Sequence, residues 1–548
     1  PLTDVNRIIQ RQDGIEELTG HTTELSQLEE MLEHVFDFER ILTRIEANTT
    51  SPKDLLALKA SLGMIPEIKK LLSGTVSIVL RKLSDQMDIH STVYELLDRS
   101  MNENGTGNIR DGKYIKEGYS AELDEVRSLS ENSRKWIADL EEREKEKTGI
   151  KLKIGFNNVF GYYFEITNAN KVPIPEYYMR KQTLVNAERY ITPELKEFET
   201  KALSAKEKTE ELELKIYQAV KAAIRPEIAA MQRTAKALAA LDCLTGLSRA
   251  ALKDRYVRPQ ITNSREGRIS IHDGRHPMVE HALKREMFVP NDTELNHTDQ
   301  EMIIITGPNM AGKSTYMRQV AVLTIMAQTG SFIPAKSASF APVDRIFTRV
   351  GAADDISTGQ STFMVEMKEV SHILCNATKN SLILLDEIGR GTSTYDGMSI
   401  ARAVVEYLNS KVHAYTLFAT HYHELSDMAA ENEHIKNYTV TVKERGKEIT
   451  FLRRIVPGSA DKSYGIHVAR LAGLPESLLK RADEILEGLE VEGIKEEPAA
   501  PVIRRETALN LFSSPIIDEL ADLDVMSKTP IEAMEILFRL SKEAKEGR

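Results

Sequence analysis

The chain has 548 residues, 41% of them hydrophobic, which is too long for one hydrophobic core and predicts several domains. Its net charge of −11 argues against a uniformly basic coat for nucleic acid, so any such contact has to come from a local positive region. No apolar run reaches membrane-spanning length, and we expect no membrane partner.

The two cysteines, Cys243 and Cys375, lie far apart in helical, apolar contexts. We expect buried, reduced thiols rather than a disulfide, which fits a reducing compartment. The chain starts at Pro1 without a methionine or a signal peptide. This start predicts a fragment whose N-terminal part is missing.

The first part of the chain has a helical pattern. From Pro1 to Ser100, Leu, Ile and Val recur at three- and four-residue spacing, which predicts packed helices without visible chemistry. Residues 101–118 are a polar insert, in which Arg110-Asp111-Gly112-Lys113 predicts a small hairpin. From Ala121 a narrow apolar stripe runs through a highly charged segment, which is typical of a long helix that faces one partner.

The partner of this helix follows Pro193. Apolar and small residues from Leu195 to Ala223 repeat at alternating spacings of three and four, which is the pattern of a coiled-coil seam. A helix of about 30 residues is about 45 Å long. The two helices predict a projecting antiparallel lever, and the alternative for their contacts is a pair of ordinary bundle helices.

Between the two helices, residues 151–192 have the character of a β-rich tip. Leu152–Phe156, Gly161–Ile166 and the stretch from Thr183-Leu184 to Tyr190-Ile191 are predicted as strands. The segment carries a local net charge of +3 in a chain of −11. We interpret its aromatic residues as the core of the tip.

Basic and amide side chains of this tip suit contact with a DNA backbone. The alternative is a solvated charged face. The predicted DNA-contacting residues are Lys171, Arg180, Lys181, Gln182, Asn186 and Arg189.

The stretch Ile303 to Thr315 carries the most specific chemistry. An apolar strand leads into Gly307-x4-Gly312-Lys313-Ser314, which fits the P-loop pattern, with a helix-forming segment after it. Backbone N–H groups and Lys313 would hold nucleotide phosphates, and the Ser314 hydroxyl would ligate Mg²⁺. The alternative is a glycine-rich turn that binds nothing. The predicted phosphate-binding residues are Gly307, Pro308, Asn309, Met310, Ala311, Gly312, Lys313, Ser314 and Thr315.

Two further strands end in polar residues. Ser381 to Glu387 is an apolar strand with two terminal acids, of which Asp386 would support Mg²⁺ and Glu387 would orient and polarise the attacking water. The strand from Ala414 to Thr420 is followed by His421, which could hydrogen-bond the γ-phosphate. An ordinary strand-end histidine is the alternative. Lys313, Glu387 and His421 are therefore the predicted catalytic residues.

Two segments complete the predicted nucleotide site. Phe288, before the P-loop, could stack on adenine, although a core phenylalanine is the alternative. Ser357 to Met367 places small hydroxyl residues at a helix N-terminus, a second anion-binding end. In ABC-type ATPases such a segment completes the neighbouring subunit's site, which predicts a dimer as the fully active form.

The C-terminal part is predicted to be helical after one hairpin. Asn437–Val442 and Glu448–Leu452 flank Glu444-Arg445-Gly446-Lys447, a hairpin signal. Two short helices are predicted over Ser463–Ala469 and Pro475–Leu489. Residues 490–528 are rich in Glu, Pro and Ser and are predicted to be flexible, and Thr529-Pro530-Ile531-Glu532 opens an amphipathic helix.

Four motifs together resemble the MutS family of DNA mismatch-recognition ATPases. They are Gly307–Thr315, Ser361–Met367, Asp386–Ser393 and Thr420–Leu425, and they occur in the order of the family. Gly161-Tyr162-Tyr163 and Asn186–Ile191 are similar to the clamp of that family, flanked by its lever helices. Ala311, where the family usually has glycine, is a mild departure.

The resemblance implies a multidomain α + α/β fold: a helical core and lever with a β-rich clamp tip, an ABC-type P-loop ATPase domain, and C-terminal helical dimer and tetramer contacts. It implies binding of ATP or ADP with Mg²⁺, a homodimer on double-stranded DNA, a MutL-type repair partner and a bacterial cytoplasmic, nucleoid-associated location. By matching positions, it also implies that Ser361 is a ligand in trans, to the nucleotide of the partner subunit. The implied domains are helical core and outgoing lever 1–136, clamp 137–196, returning lever and core 197–258, ATPase 259–458, helix-turn-helix dimer segment 459–490, flexible linker 491–528 and oligomerisation helix 529–548.

The larger departure from the family is an absence. Its members read a mismatch with a Phe-x-Glu wedge in an N-terminal domain, and no Phe in this chain is followed two residues later by Glu. We therefore expect this polypeptide to bind DNA weakly or without lesion preference. One alternative is a related DNA-junction binder that limits recombination, and another is a transporter ATPase subunit. The long arm and the lack of a Leu-Ser-Gly-Gly-Gln signature argue against the transporter.

Overall fold

The computed structural model describes residues 2–105, 109, 112–157, 161–263, 267–283, 287–308, 311–350, 361–445, 448–459, 464–493 and 539. The chain divides into two compact units, residues 1–465 and 466–548. Predictions for the linker 491–528 and the helix 529–548 fall almost entirely outside the described residues. Each unit is considered by itself below.

Helices make up most of the first half of the larger unit. They are α1 (Val5–Gly20), α2 (Thr22–Glu33), α3 (Phe38–Glu46), α4 (Pro52–Leu72), α5 (Ile78–Gln86), α6 (Ser91–Ser100), α7 (Ala121–Thr148), α8 (Pro193–Ile224) and α9 (Ile228–Asp254). Their sequence signals explain where they begin. Ser51 and Asp54 form a capping box around Pro52, and the side chain of Thr192 caps α8 by accepting from the N–H of Leu195.

The core of this helical part surrounds α9. Its buried face carries Met231, Leu238 and Leu241, which pack with the apolar faces of α1 to α6 in one continuous cluster. The 101–118 insert is closed by an antiparallel bridge between Met101 and Ile115. Most of the predicted turn at 110–113 lies outside the described residues.

The arm, defined as α7 and α8, consists of two long helices that pack against each other, as the predicted lever requires. Trp136 of α7 stacks on Phe198 of α8 with ring centroids 3.9 Å apart. Leu123 and Leu140 of α7 are buried, as the narrow stripe predicts. Because α7 continues to Thr148, the predicted boundary at residue 136 falls inside a helix.

The tip, defined as four strands between the arm helices, is an antiparallel sheet. The strands are β1 (Leu152–Asn157), β2 (Gly161–Thr167), β3 (Met179–Thr183) and β4 (Ala187–Ile191), in the order β1-β2-β4-β3. Phe164, Tyr178 and Tyr190 form its core with apolar residues of the arm, as expected for its aromatics. The stretch from Thr183 to Ile191 is not one strand: Thr183 ends β3 and β4 begins at Ala187. The sequence missed β3 because four of its five side chains are polar or charged and most of them are exposed.

The rest of the larger unit combines two sheets with helices. Its elements are β5 (Gln260–Ile261), β6 (Arg268–Gly274), α10 (Pro277–Ala282), β7 (Asn291–Asn296), β8 (Met302–Thr306), α11 (Lys313–Thr329), β9 (Ser337–Phe340), β10 (Ile346–Arg349), α12 (Thr362–Asn376), β11 (Leu382–Asp386), α13 (Thr394–Tyr407), β12 (Tyr415–Ala419), α14 (Met428–Glu431), β13 (Ile435–Arg445) and β14 (Glu448–Pro457). One sheet has the order β10-β11-β12-β8-β13-β14, and the other has the order β5-β9-β6-β7.

The six-stranded sheet is parallel from β10 to β13, and the predicted hairpin of β13 and β14 extends it antiparallel. Both faces of the sheet are covered. Ile303 and Ile305 of β8 point into the core shared with α11, whereas Met302 and Ile304 point into the core shared with α12 and α13. This burial on both sides explains why β8, β11 and β12 are continuous apolar runs rather than alternating ones.

The smaller unit begins with two helices, α15 (Gly465–Leu471), whose first residue belongs to the larger unit, and α16 (Glu476–Gly493), close to the predicted positions. Elsewhere, the cysteine prediction was partly wrong. Cys243 and Cys375 are free thiols, as expected, but both are exposed because they lie on the outer faces of α9 and α12. No helix in the described part of the chain is both long enough and apolar enough to cross a bilayer.

Candidate nucleotide site

Three parallel strands bring the predicted nucleotide-binding residues to one edge of the larger sheet. β12 lies between β8 and β11, with Ala419 in register with both Ile305 and Asp386. The ladder continues past the strands, because Thr420 donates to Ile305 O at 3.0 Å and Glu387 donates to Ala419 O at 2.9 Å. The segments that follow β8, β11 and β12 therefore share the carboxyl edge, where ligands bind in open α/β sheets.

The P-loop connects β8 to α11 through two glycines with left-handed backbone. Gly307 has φ of 124° and Gly312 has φ of 100°, conformations that disfavour residues with a side chain. Ala311 is fully buried in the adjacent core, so its methyl group is accommodated. The predicted ligands Asn309 and Met310 lie outside the described residues, while Pro308 lies in the loop and Thr315 in the first turn of α11.

The Lys313 side chain lies inside this loop. It is only 1% exposed, and its ammonium donates a hydrogen bond to the Gly307 carbonyl. Burial lowers the pKa of Lys313, while the carboxylates of Glu387 and Asp386 act in the opposite direction. A buried cation enclosed by a turn of backbone is a suitable receptor for phosphate oxygens.

Ser314 and Asp386 meet across the strand ends. The Ser314 hydroxyl donates to Asp386 Oδ2 at 2.5 Å. Burial raises the pKa of Asp386, partly offset by this hydrogen bond. A hydroxyl and a carboxylate oxygen in contact fit the hard oxygen ligands that Mg²⁺ prefers.

The backbone of Glu387 is in the left-handed conformation, with φ of 54°. Such a conformation is uncommon for a residue with a side chain and is found where surrounding contacts enforce it. Its carboxylate accepts a hydrogen bond from Arg390 at 2.7 Å, and 15% of its side chain is exposed. The Glu387 carboxylate is therefore partly accessible to solvent.

His421 follows β12, and its ring packs on Tyr422 with centroids 4.1 Å apart. Desolvation lowers the pKa of His421, the Glu387 carboxylate opposes this shift, and the Arg390 and Lys313 cations reinforce it. The pKa of His421 therefore responds to the charges of Glu387 and Lys313, the other two predicted catalytic residues. A lowered pKa favours neutral imidazole, which carries one N–H donor and one acceptor.

A hydrogen-bonded junction at Gly389 was not predicted from the sequence. The Gly389 N–H donates to Glu366 Oε1 at 2.6 Å, and its carbonyl accepts from the Tyr422 hydroxyl at 3.1 Å. Arg349 holds Glu366 from the other side at 3.6 Å. Gly389 has φ of 89°, and a Cβ there would lie 2.5 Å from the carbonyl oxygen of Gly397. Only glycine fits, which the Gly389-Arg390-Gly391 pattern could have suggested.

Ser361 serves as the N-cap of α12, where its hydroxyl accepts from the N–H of Met364 at 3.2 Å. This confirms the predicted helix N-terminus. Residues 351–360, which include the first part of the predicted anion-binding segment, lie outside the described residues.

A cleft of about 200 Å³ connects Phe288 with the P-loop. Gly312, Thr315 and Arg453 also line it. Arg453 was missed by the sequence analysis because only the pairing of β14 brings it there. Asn291 holds this part of β14 in place: it donates to Arg453 O at 3.1 Å and accepts from the Ile455 N–H at 2.7 Å.

The predicted DNA-contacting residues of the tip fall into two groups. Lys171, Lys181 and Asn186 are exposed. The others have partners within the sheet: Arg180, which is itself exposed, pairs with Glu188 at 3.1 Å, and Arg189 bonds Glu165 at 3.2 Å and Gln182 at 2.9 Å. Arg189 also lies 4.3 Å over the ring of Tyr163.

The comparisons with known proteins agree with this geometry. The model of MutS domain V matches residues 303–490, which begin at β8, and the model of MutS family domain IV matches residues 118–208, which contain the tip. The chain belongs to the MutS family. Its two matched domains correspond to the nucleotide-site region and to the tip with parts of its arm.

Similar full-length proteins of the family are named DNA mismatch repair protein MutS. That of Caldicellulosiruptor bescii is 48% identical over 99% of this chain, that of Clostridium kluyveri 47% over 100%, and that of Acetivibrio thermocellus 46% over 100%. The chain spans 64% of the length of each of these relatives.

Proposed function

We propose that this chain is the ATP-hydrolysing and DNA-clamping part of a DNA mismatch repair protein. The observation that carries the proposal is the meeting of Lys313, the Ser314–Asp386 pair and Glu387 at one sheet edge. The relatives bear the name of that repair protein. Residues 259–458 would form the ABC-type ATPase domain and residues 137–196 the clamp.

In this proposal each residue of the site has a separate role in phosphoryl transfer. Phe288 stacks on the base, and the backbone of Gly307–Thr315 with Lys313 binds the phosphates. Ser314 and Asp386 would hold Mg²⁺, which neutralises charge on the phosphate oxygens when bound. Glu387 orients a water molecule and accepts its proton, while the water oxygen attacks the γ-phosphorus and ADP departs. His421 hydrogen-bonds the γ-phosphate.

A second subunit would contact this chain at two surfaces. Ser361, at the N-terminus of α12, would contact the nucleotide of the partner subunit. In the smaller unit, Leu474, Leu478 and Ile485 are at least 40% exposed, which suits a helical dimer contact within 459–490. A tetramer contact through 529–548, a MutL-type partner and a bacterial cytoplasmic, nucleoid-associated location are further parts of the proposal.

In this proposal the length of the arm determines how far the clamp extends from the helical part of the chain. α8 has 32 residues, which corresponds to about 48 Å of helix. The exposed lysines of the tip would contact the DNA backbone. If nucleotide state alters the hold on DNA, then DNA must alter nucleotide affinity to the same degree.

The test uses the whole 548-residue chain. Mg²⁺–ADP binding is measured by calorimetry and ATP hydrolysis by phosphate release, with and without duplex DNA. Lys313→Ala should lose nucleotide binding. Glu387→Ala should keep binding and lose turnover by roughly 10²- to 10⁴-fold.

Glu433→Ala, which changes an exposed glutamate elsewhere in the same unit, is the matched control and should leave both quantities unchanged. Unaltered turnover in Glu387→Ala would refute the assignment of the attacking-water residue. A chain that neither binds ATP nor changes its hold on duplex DNA when ATP is added would refute the function itself.

A further inference from the structure

Gln319 is a buried side chain whose hydrogen-bonding groups are unpaired. It lies in α11, six residues beyond Lys313, and is 0% exposed. Neither its Oε1 nor its Nε2 has a partner among the described residues. A buried amide is normally paired, because leaving it unpaired is unfavourable. The position therefore calls for a polar ligand.

A second glutamine of the same helix shows the usual arrangement. Gln328 is 2% exposed, and its Nε2 donates to Leu2 O at 2.9 Å and to Val343 O at 2.8 Å. Its Oε1 accepts from the Val343 N–H at 3.0 Å. The amide of Gln328 is therefore fully hydrogen-bonded, whereas the amide of Gln319, in the same helix, has no hydrogen-bond partner among the described residues.

Gln319 is one of the residues that border the cleft containing Phe288. Gly312, Thr315 and Gln319 all line this cleft. Thr315 follows Gly312 by three residues and Gln319 follows Thr315 by four, which places all three along one face of the helix. The seven-residue interval rises about 10 Å, which is comparable with the distance from the β-phosphate of a nucleotide to its base. The amide is therefore placed at the base end of the site.

Gly274, at the end of β6, keeps space beside this amide. A Cβ at residue 274 would lie 2.7 Å from Gln319 Nε2, closer than real side-chain contacts allow. A larger residue there would displace the amide from its position. Because Gly274 has no side chain, the unpaired amide of Gln319 can lie against the strand at this end of the cleft.

We propose that the Gln319 amide recognises adenine by hydrogen-bonding its 6-amino group and the adjacent ring nitrogen. A carboxamide matches this edge of adenine with one acceptor and one donor. Gln319 is then a specificity-determining residue for the base, next to the stacking residue Phe288. The inference rests on the proposed function, because the cleft must hold the base of a nucleotide.

The test compares ADP with purine riboside 5′-diphosphate, which lacks the 6-amino group, by calorimetry with Mg²⁺ on the whole chain. The wild type should prefer ADP by about 10-fold or more. Gln319→Met, which removes both polar atoms at similar length, should bring the two affinities to within about two-fold. Gln328→Met is the matched control, and it should keep the wild-type preference even if it lowers the melting temperature.

The outcomes separate the two proposals. If the folded wild type binds neither nucleotide, the nucleotide-site proposal fails. If it binds both equally, or if Gln319→Met keeps the preference for ADP, the Gln319 proposal alone is overturned and the amide has only a structural role. If Gln319→Met does not fold, Gly274→Ala decides: it should reduce the preference for ADP, and an unchanged preference overturns the proposal.

Discussion

The Glu366 carboxylate accepts a hydrogen bond of 2.6 Å from the backbone N–H of Gly389. Glu366 belongs to α12, whose first turn carries Ser361, and Gly389 lies two residues after Glu387. The same Gly389 peptide segment is held by Tyr422, the neighbour of His421. Two buried hydrogen bonds at Gly389 therefore link the three segments that carry the proposed attacking-water residue, the proposed γ-phosphate contact and the proposed ligand in trans.

Glu366→Ala should lower ATP turnover without weakening nucleotide binding. Removing the acceptor frees the Gly389 segment, and misplacing a reacting group by about 1 Å costs on the order of 10²-fold in rate. Glu366→Gln keeps an acceptor oxygen and should restore much of the rate. The measurements are kcat for phosphate release and the Kd of Mg²⁺–ADP.

Glu369→Ala is the matched control for this experiment. Glu369 pairs with the same Arg349 at 2.9 Å, but its side chain is half exposed. Because the half-exposed Glu369 can be replaced by solvent and makes no contact with Gly389 among the described hydrogen bonds, this variant should leave kcat within about two-fold of the wild type. Equal losses in Glu366→Ala and Glu369→Ala would show that the arginine, and not the Gly389 contact, controls the rate.

The affinity for Mg²⁺–ADP should fall as the pH is lowered. Burial raises the pKa of Asp386, so this carboxyl takes up a proton at a pH where an ordinary aspartate is still ionised. Protons then compete with Mg²⁺ below the raised pKa, and the affinity should be insensitive to pH above it. One competing proton changes the affinity by at most about tenfold per pH unit.

Calorimetry across this pH range, with ADP in EDTA as the reference, isolates the contribution of the metal. Asp386→Asn should bind ADP without the Mg²⁺-dependent gain and without its pH dependence. A wild-type Mg²⁺ gain that stays constant from neutral to acidic pH would argue against Asp386 as the metal-supporting group.

The sequence identified those parts of the site that are encoded locally. The P-loop, the acids after β11 and the N-cap at Ser361 each follow from neighbouring residues in the chain. Glu366, Arg453 and Gln319 could not be found in this way, because their roles depend on strand order and on which helix face meets the cleft. For the same reason Arg189, basic in sequence, turned out to be engaged within the tip sheet.

Replacing Lys171 and Lys181 by alanine should weaken duplex binding and reduce its salt dependence. Both side chains are exposed on the tip. Each lost phosphate contact should lower the slope of log K against log salt by about 0.9. Fluorescence anisotropy with a homoduplex at several salt concentrations gives this slope.

Removing the same number of positive charges from the arm tests whether duplex binding depends on the position of the lysines or only on the net charge of the chain. Lys201 and Lys206 lie on α8, where they pair with Glu197 at 3.0 Å and Glu210 at 3.9 Å. Replacing these two lysines by alanine should leave the salt slope near the wild-type value. If both double variants lose the same amount, binding follows net charge and the tip has no special role.

Leu478→Asp should dissociate the proposed dimer. Leu478 is 50% exposed on α16, and burying a leucine in an interface contributes about 1.5–3 kcal/mol, whereas a buried unpaired carboxylate is strongly unfavourable. Sedimentation should show a dimer Kd that is at least roughly tenfold weaker. Ser477→Asp, the same residue introduced at the exposed neighbouring position, should leave the dimer intact. A Leu478→Asp chain that sediments like the wild type would remove this helix from the interface.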